Sequence, residues 1–211
     1  MTLFRRDVLA LAAAALLATA CNTGGGAASD AADMTIGAAN APVSLIEYAS
    51  TTCPHCAEFH RTVWPQLKAN YIDAGKVRFT FREFPTPPAE VAVAAFQLAR
   101  CGGAAPEQYL ARVGVIFDQQ QAMFATGTAE GVRQKLVQIG QEAGLSEDQV
   151  MACINDEHGP ARVRQVVADG ERQFNITGTP TLILNGKKLE DPSAMTYAGL
   201  SRLIDAAIAG H

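Results

Sequence analysis

The chain reads as an α/β protein whose sheet is interrupted by a block of helices, and three patterns carry that reading. A strand, helix, strand succession fills Pro42 to Phe84. No convincing strand follows between Ala89 and Phe174. A β-hairpin pattern and a last amphipathic helix then close the chain. At 211 residues there is material for one well-packed core with an insert.

The first strand is Pro42 to Ala49, an apolar run of the kind buried within a sheet. Thr51 or Thr52 is the expected N-cap of the next helix. That helix is expected to run to about Trp64, where Pro65 interrupts it, and to resume to about Ala74 before Gly75 stops it. Val77 to Phe84 alternates apolar with polar residues, the period-2 mark of a strand. Two strands joined across a helix should lie parallel.

Pro85, Pro87 and Pro88 then break the pattern. Helices are expected over Ala89 to Cys101, Glu107 to Phe117, Thr128 to Ala143, Ser146 to Ile154 and Pro160 to Phe174. Ser146 ahead of Glu147 and Asp148 is an N-terminal signal, and Pro160 suits a first helical turn. Thr181 to Leu184 and Lys187 to Leu189 flank Asn185-Gly186, the strongest short hairpin signal, and Thr196 to Ala209 forms the closing helix. The expected division is a leader at 1–20, a tether at 21–34, a discontinuous sheet domain at 35–85 and 165–211, and a helical insert at 86–164.

Hydrophobic residues make up 48% of the chain and charged ones 18%, ordinary for a globular protein. The net charge of −4 gives no reason to expect nucleic acid or an anionic membrane surface as a partner. Arg5-Arg6 followed by the apolar run Val8 to Ala20 reads as an export signal, since 13 residues are too few to span a bilayer comfortably. Phe4 to Leu9 loosely matches a twin-arginine signal, while Ala18-Thr19-Ala20-Cys21 loosely resembles a lipoprotein site at which Cys21 would be lipidated and tether the protein to a membrane. Asn22 to Ala32 is a Gly/Ala/Ser-rich stretch without periodicity, of linker composition.

The chemistry concentrates at Cys53-Pro54-His55-Cys56, between the first strand and its helix. Two cysteines at this spacing can close a disulfide within one helical turn. A helix N-terminus carries unpaired N–H groups and partial positive charge, which stabilise a thiolate and lower its pKa. His55 is expected to help through its ring and N–H groups. The alternative is half of a zinc site with His60 as a third ligand, but a closed zinc site needs four ligands and no second Cys-x-x-Cys exists. Cys101 and Cys153 form an even remainder. In an oxidising compartment they are expected to pair as a structural disulfide, two buried thiols that never meet being the alternative. No cofactor and no resident metal are expected.

With these residues in view, the chain resembles the DsbA-like branch of the thioredoxin superfamily over about residues 36 to 209. The resemblance rests on Cys53-Pro54-His55-Cys56, the strand before it, Thr179-Pro180 ahead of the hairpin, and the helical insert. It implies a thioredoxin fold with an inserted all-helical domain, and a periplasmic thiol:disulfide oxidase acting on unfolded or reduced exported proteins. It further implies that Cys53 is the attacked sulfur and Cys56 its buried partner, and that a quinone-coupled membrane oxidase of the DsbB type restores the disulfide. Pro180 would be a cis-proline facing that disulfide, with Thr179 beside it for substrate backbone, although most X–Pro bonds are trans. Glu47, among Leu45, Ile46 and Tyr48, matches the buried acid that serves proton transfer in the family. Thr179 departs from the Val of the best-known DsbA oxidases and is also found in isomerase and reductase relatives. The rival readings are therefore an isomerase or reductase of the same superfamily and, from another class, a periplasmic metal-binding module.

Overall fold

The computed structural model describes residues 33–210, so the leader, Cys21 and the stretch up to residue 32 lie outside the described residues. The strands are β1 (Met34–Ile36), β2 (Val43–Ala49), β3 (Val77–Glu83), β4 (Thr181–Leu184) and β5 (Lys187–Lys188), in the sheet order β1-β3-β2-β4-β5. The helices are α1 (Pro54–Thr62), α2 (Trp64–Leu67), α3 (Ala89–Arg100), α4 (Pro106–Asp118), α5 (Gln120–Phe124), α6 (Ala129–Glu142), α7 (Glu147–Ile154), α8 (His158–Phe174) and α9 (Tyr197–Ala209). No described helix is long and apolar enough to cross a membrane.

β2 and β3 are parallel, from Val43 opposite Val77 to Ala49 opposite Glu83. The chain returns between them through α1, α2 and a π-helical turn at Lys68–Ile72. The helix breaks at Val63, ahead of the expected Trp64. Pro65 explains the offset, because its ring clashes with the carbonyl four residues earlier and it has no N–H to donate. β4 runs antiparallel to β2 and pairs with β5 across Asn185 and Gly186. Both turn residues have positive φ, 46° and 76°, as the tight hairpin turn requires. Asn185 Oδ1 also accepts from the Ser44 N–H at 2.8 Å.

β2 is central, and successive side chains face opposite layers. Leu45 and Ala49 belong to the main core with Phe59, Phe79 and Phe81. Tyr48 belongs to a smaller cluster with Phe84, Val166, Ile176 and Ile183. Gly170 lets α8 approach that cluster: a Cβ there would lie 2.6 Å from Tyr48 Cε1. Each fully buried Phe contributes about 1.5–3 kcal/mol relative to exposure.

Two elements depart from the expected outline. Met34–Ile36, whose first residue fell within the expected tether, is strand β1 and pairs antiparallel with β3. Gln120–Phe124 is a separate short helix between two expected ones. The expected boundary at 164/165 falls inside α8, which is continuous from His158 to Phe174. Sheet and insert share further ties. Glu83, at the end of β3, is 1% exposed. It accepts from Arg100 Nε at 2.6 Å and from the Tyr109 hydroxyl at 3.0 Å, with Arg162 Nε at 3.5 Å. One buried carboxylate thus holds α3, α4 and α8 to the sheet.

Within the insert, Cys101 and Cys153 form a disulfide, Cα to Cα 5.6 Å, closing a loop of 52 residues between the end of α3 and α7. In the chain-entropy view such a loop is worth about 4 kcal/mol. Cys101→Ser with Cys153→Ser should lower unfolding free energy by up to that amount in chemical denaturation. An unchanged midpoint would show that the bridge leaves the unfolded chain unconstrained.

Candidate active site

The parallel β2 delivers the chain to its carboxyl end, and the Ser50–Thr52 loop turns it into α1. Cys53 takes the N-cap position, with extended backbone (φ −85°, ψ 119°), and Pro54 opens the first turn. The expected threonine caps are engaged elsewhere. Thr51 Oγ1 donates to the Ala92 carbonyl at 3.3 Å, and Thr52 Oγ1 donates to the Thr86 carbonyl at 2.8 Å. Ser50 Oγ accepts from the Thr86 N–H at 3.0 Å. Gln120 of α5 donates its amide to the carbonyls of Thr51 and Cys53, at 2.8 and 3.1 Å. The loop is therefore clamped from β3–α3 on one side and from α5 on the other. The N–H groups that a capping hydroxyl would occupy are left to sulfur.

The two cysteines are in the dithiol form; Cys53 is 7% exposed and Cys56 fully buried. Their acidities are driven apart. Cys53 falls from 9.0 to about 5. The largest cause is the hydrogen bond with the Cys56 thiol, with further help from Thr179 and the N–H groups of Cys56 and His55 outweighing burial. Cys56 is pushed far above the ordinary thiol range, first by burial, then by its bond to Cys53 and the charges of Glu47 and Cys53. One sulfur is thus built to carry the negative charge and the other to hold the proton.

His55 contributes to Cys53 through its backbone N–H, while its side chain is exposed. It borders a shallow cleft of about 240 Å³ together with Glu58, Phe59, Pro180 and Met195. The register of β4 on β2, Thr181 opposite Tyr48, brings Thr179 and Pro180 to the same end of the sheet as Cys53. The Thr179–Pro180 bond is cis, and the Cys53 thiol donates to the Thr179 carbonyl at 3.3 Å. The Thr179 hydroxyl is buried without a hydrogen-bond partner.

Glu47 is fully buried on β2. Its Oε2 lies 3.0 Å from His60 Nε2, a contact the sequence reading missed by treating His60 as a candidate metal ligand. The seven-residue offset from Cys53 to His60 puts the imidazole on the inner face of α1, which is why it is buried, but nothing in that spacing names Glu47 as its partner. Among the described residues no group of three or more His, Cys, Asp or Glu is arranged to hold a metal ion.

A family model described as Thioredoxin matches residues 29–206, and the chain belongs to the thioredoxin family, in its DsbA-like branch. A provisionally named protein-disulfide oxidoreductase of Rickettsia prowazekii is 31% identical over 176 residues, 83% of this chain and 61% of that protein. This chain thus spans about three fifths of the length of that relative. A Bacillus anthracis protein provisionally named disulfide bond formation protein D is 27% identical over 81% of this chain and 76% of its own length. The crystal structure of Wolbachia pipientis alpha-DsbA1 superposes with a TM-score of 0.72 at 26% identity, covering 85% of this chain and 92% of that one. Oxidised BdbD from Bacillus subtilis, at 20% identity and a TM-score of 0.70, shares the fold over 84% of this chain and 94% of its own.

Proposed function

We propose that the protein is an exported thiol:disulfide oxidase that introduces disulfides into reduced proteins through Cys53 and Cys56. The observation that carries this reading is the placement of two sulfurs at one helix N-terminus, Cys53 at the N-cap against the cis Thr179–Pro180 bond and Cys56 buried behind it, which drives their acidities apart. A stabilised Cys53 thiolate favours the dithiol form, and a favoured dithiol form makes the disulfide oxidising. In the oxidised enzyme a substrate thiolate attacks Cys53 Sγ, the bond to Cys56 breaks, and Cys56 leaves with the electron pair. A second substrate thiolate then attacks the substrate sulfur of the mixed disulfide, releasing oxidised substrate and the Cys53 thiolate. The Thr179 backbone and the cleft bordered by His55 and Pro180 lie where substrate would dock. Glu47 is assigned to proton transfer at Cys56. The dithiol is returned to the disulfide by a membrane oxidase of the DsbB type, a partner taken from the family resemblance.

Export to the periplasm is supported by the Arg5-Arg6 leader pattern and by the Cys101–Cys153 bridge, because disulfides persist in oxidising compartments. Lipidation of Cys21 belongs to the same proposal and is read from the mass of the mature N-terminus. The direction of the reaction is tested by equilibrating the Cys53–Cys56 pair against glutathione. A potential well above the thioredoxin value of about −270 mV, toward the DsbA value of about −120 mV, is expected. A value near thioredoxin's would make the protein a reductase.

A further inference from the structure

We infer that the cleft between the redox turn and helix α5 is a second docking subsite for the main chain of the substrate, with Gln120 Oε1 as its fixed acceptor. This inference deepens the proposed function and rests on it. Two clefts flank the turn. His55 borders the one that holds Pro180. Pro54, its neighbour in sequence, lines another of about 570 Å³ together with Thr52, Gln120, Gln121, Phe124 and Ala125. The two clefts share no lining residue, so the first turn of α1 forms a ridge between them. Cys53 is tied to both sides. Its thiol reaches the Thr179 carbonyl at 3.3 Å, and its own carbonyl accepts from Gln120 at 3.1 Å. A polypeptide joined to Cys53 through sulfur has a flank on either side of its cysteine, one for each cleft.

Gln120 carries the recognition. It is 8% exposed, and its amide nitrogen donates to two loop carbonyls, those of Thr51 and Cys53. Both partners are acceptors, so the nitrogen must face the loop, and this fixes the oxygen on the other branch of the amide. Oε1 accepts from no group among the described residues, yet it is not sealed from solvent. An acceptor already held in one orientation loses little freedom when a donor arrives. The matching donor is a backbone N–H, the group that an extended segment presents whatever its side chains. The rest of the lining agrees. Its charged residues are Arg61 and Asp118, one of each sign, and Arg61 already pairs with Glu58 at 2.6 Å. That balance favours neither an acidic nor a basic side chain. The substrate strand is thus held on both flanks of its cysteine, by the Thr179 backbone on one and by Gln120 on the other.

The test uses Cys56→Ser, in which a mixed disulfide on Cys53 persists. Cys53 is first joined to 2-mercaptoethanol. The thiolate of a short uncharged peptide with one central cysteine then attacks Cys53 Sγ. A new disulfide forms, the old one breaks, and mercaptoethanol leaves as a thiolate with the electron pair. The equilibrium constant of this exchange reads how well the peptide docks.

Peptides in which one N–H at a time is replaced by an ester oxygen each lack a single donor. Two positions, one on each flank of the cysteine, should each lower the constant about tenfold. Ala125→Trp, made in the same background to fill the cleft, should lower the constant of the all-amide peptide by a similar factor. It should also abolish the ester effect on one flank and leave the other. Ester effects confined to a single flank would overturn the inference, and so would both effects persisting in Ala125→Trp. If Ala125→Trp loses the native near-ultraviolet circular dichroism, the ester scan on Cys56→Ser alone decides between two flanks and one. Failure of mercaptoethanol and peptide alike to form an adduct on Cys53 would instead remove the proposed function itself.

Discussion

Cys53→Ser is expected to abolish dithiol–disulfide exchange almost completely. Serine cannot form the mixed disulfide, and its hydroxyl does not ionise at the N-terminus of α1 as the thiol does. Cys56→Ser should behave differently. Cys53 would still be attacked by a glutathione disulfide or a substrate disulfide, but no buried sulfur would follow to resolve the adduct, so the mixed disulfide should accumulate. Mass spectrometry of the non-reduced protein separates the two outcomes. Exchange surviving in Cys53→Ser would mean that the chemistry resides elsewhere.

The second large effect is on acidity. Absorbance of the thiolate in the reduced protein should titrate near pH 5, four units below the ordinary 9.0 of the group, about a 10⁴-fold gain in ionisation. Cys56 should stay silent over the same range, because burial and the neighbouring negative charges hold its proton. The same shift couples to stability. A folded pKa below the unfolded one stabilises the fold above the unfolded pKa, and the stabilisation is lost as pH falls toward the folded value. The reduced protein should therefore gain stability over the oxidised protein as pH rises from about 5 to 9, with no such gain below 5. Denaturation of both forms across that range measures it. A midpoint near 8.5 to 9 in the thiolate titration would contradict the charge arrangement at the helix terminus.

Much of this is legible in the sequence alone, for local reasons. Asn185-Gly186 announces a tight turn by backbone chemistry alone, and the alternation from Val77 to Phe84 announces a half-covered strand. The Cys-x-x-Cys spacing announces redox chemistry without any tertiary information. Strand β1 was not legible: three residues after a Gly/Ala-rich stretch carry no period, and their pairing with β3 is decided 45 residues away. Helix α5 is too short to display a period. The Thr51 and Thr52 caps failed because both hydroxyls found tertiary carbonyls, a competition invisible to a local rule. The Glu47–His60 contact joins a strand to a helix across 13 positions, and nothing in either segment names the other. The cis bond at Pro180 could be expected only from resemblance, since the base rate for X–Pro points to trans.

The amide of Gln120 reaches 67 and 69 positions back along the chain to grip two carbonyls beside the reactive sulfur. Its helix belongs to the helical block, whereas the loop it grips belongs to the sheet. Excising that block to obtain a minimal enzyme would release the hinge on which Cys53 is aimed, and the reactivity would relax toward that of an ordinary thiol even if the sheet survived. The geometry of the redox turn is thus borrowed from a distant part of the molecule, and substitutions around Gln120 in the helical block would be felt as changes in chemistry.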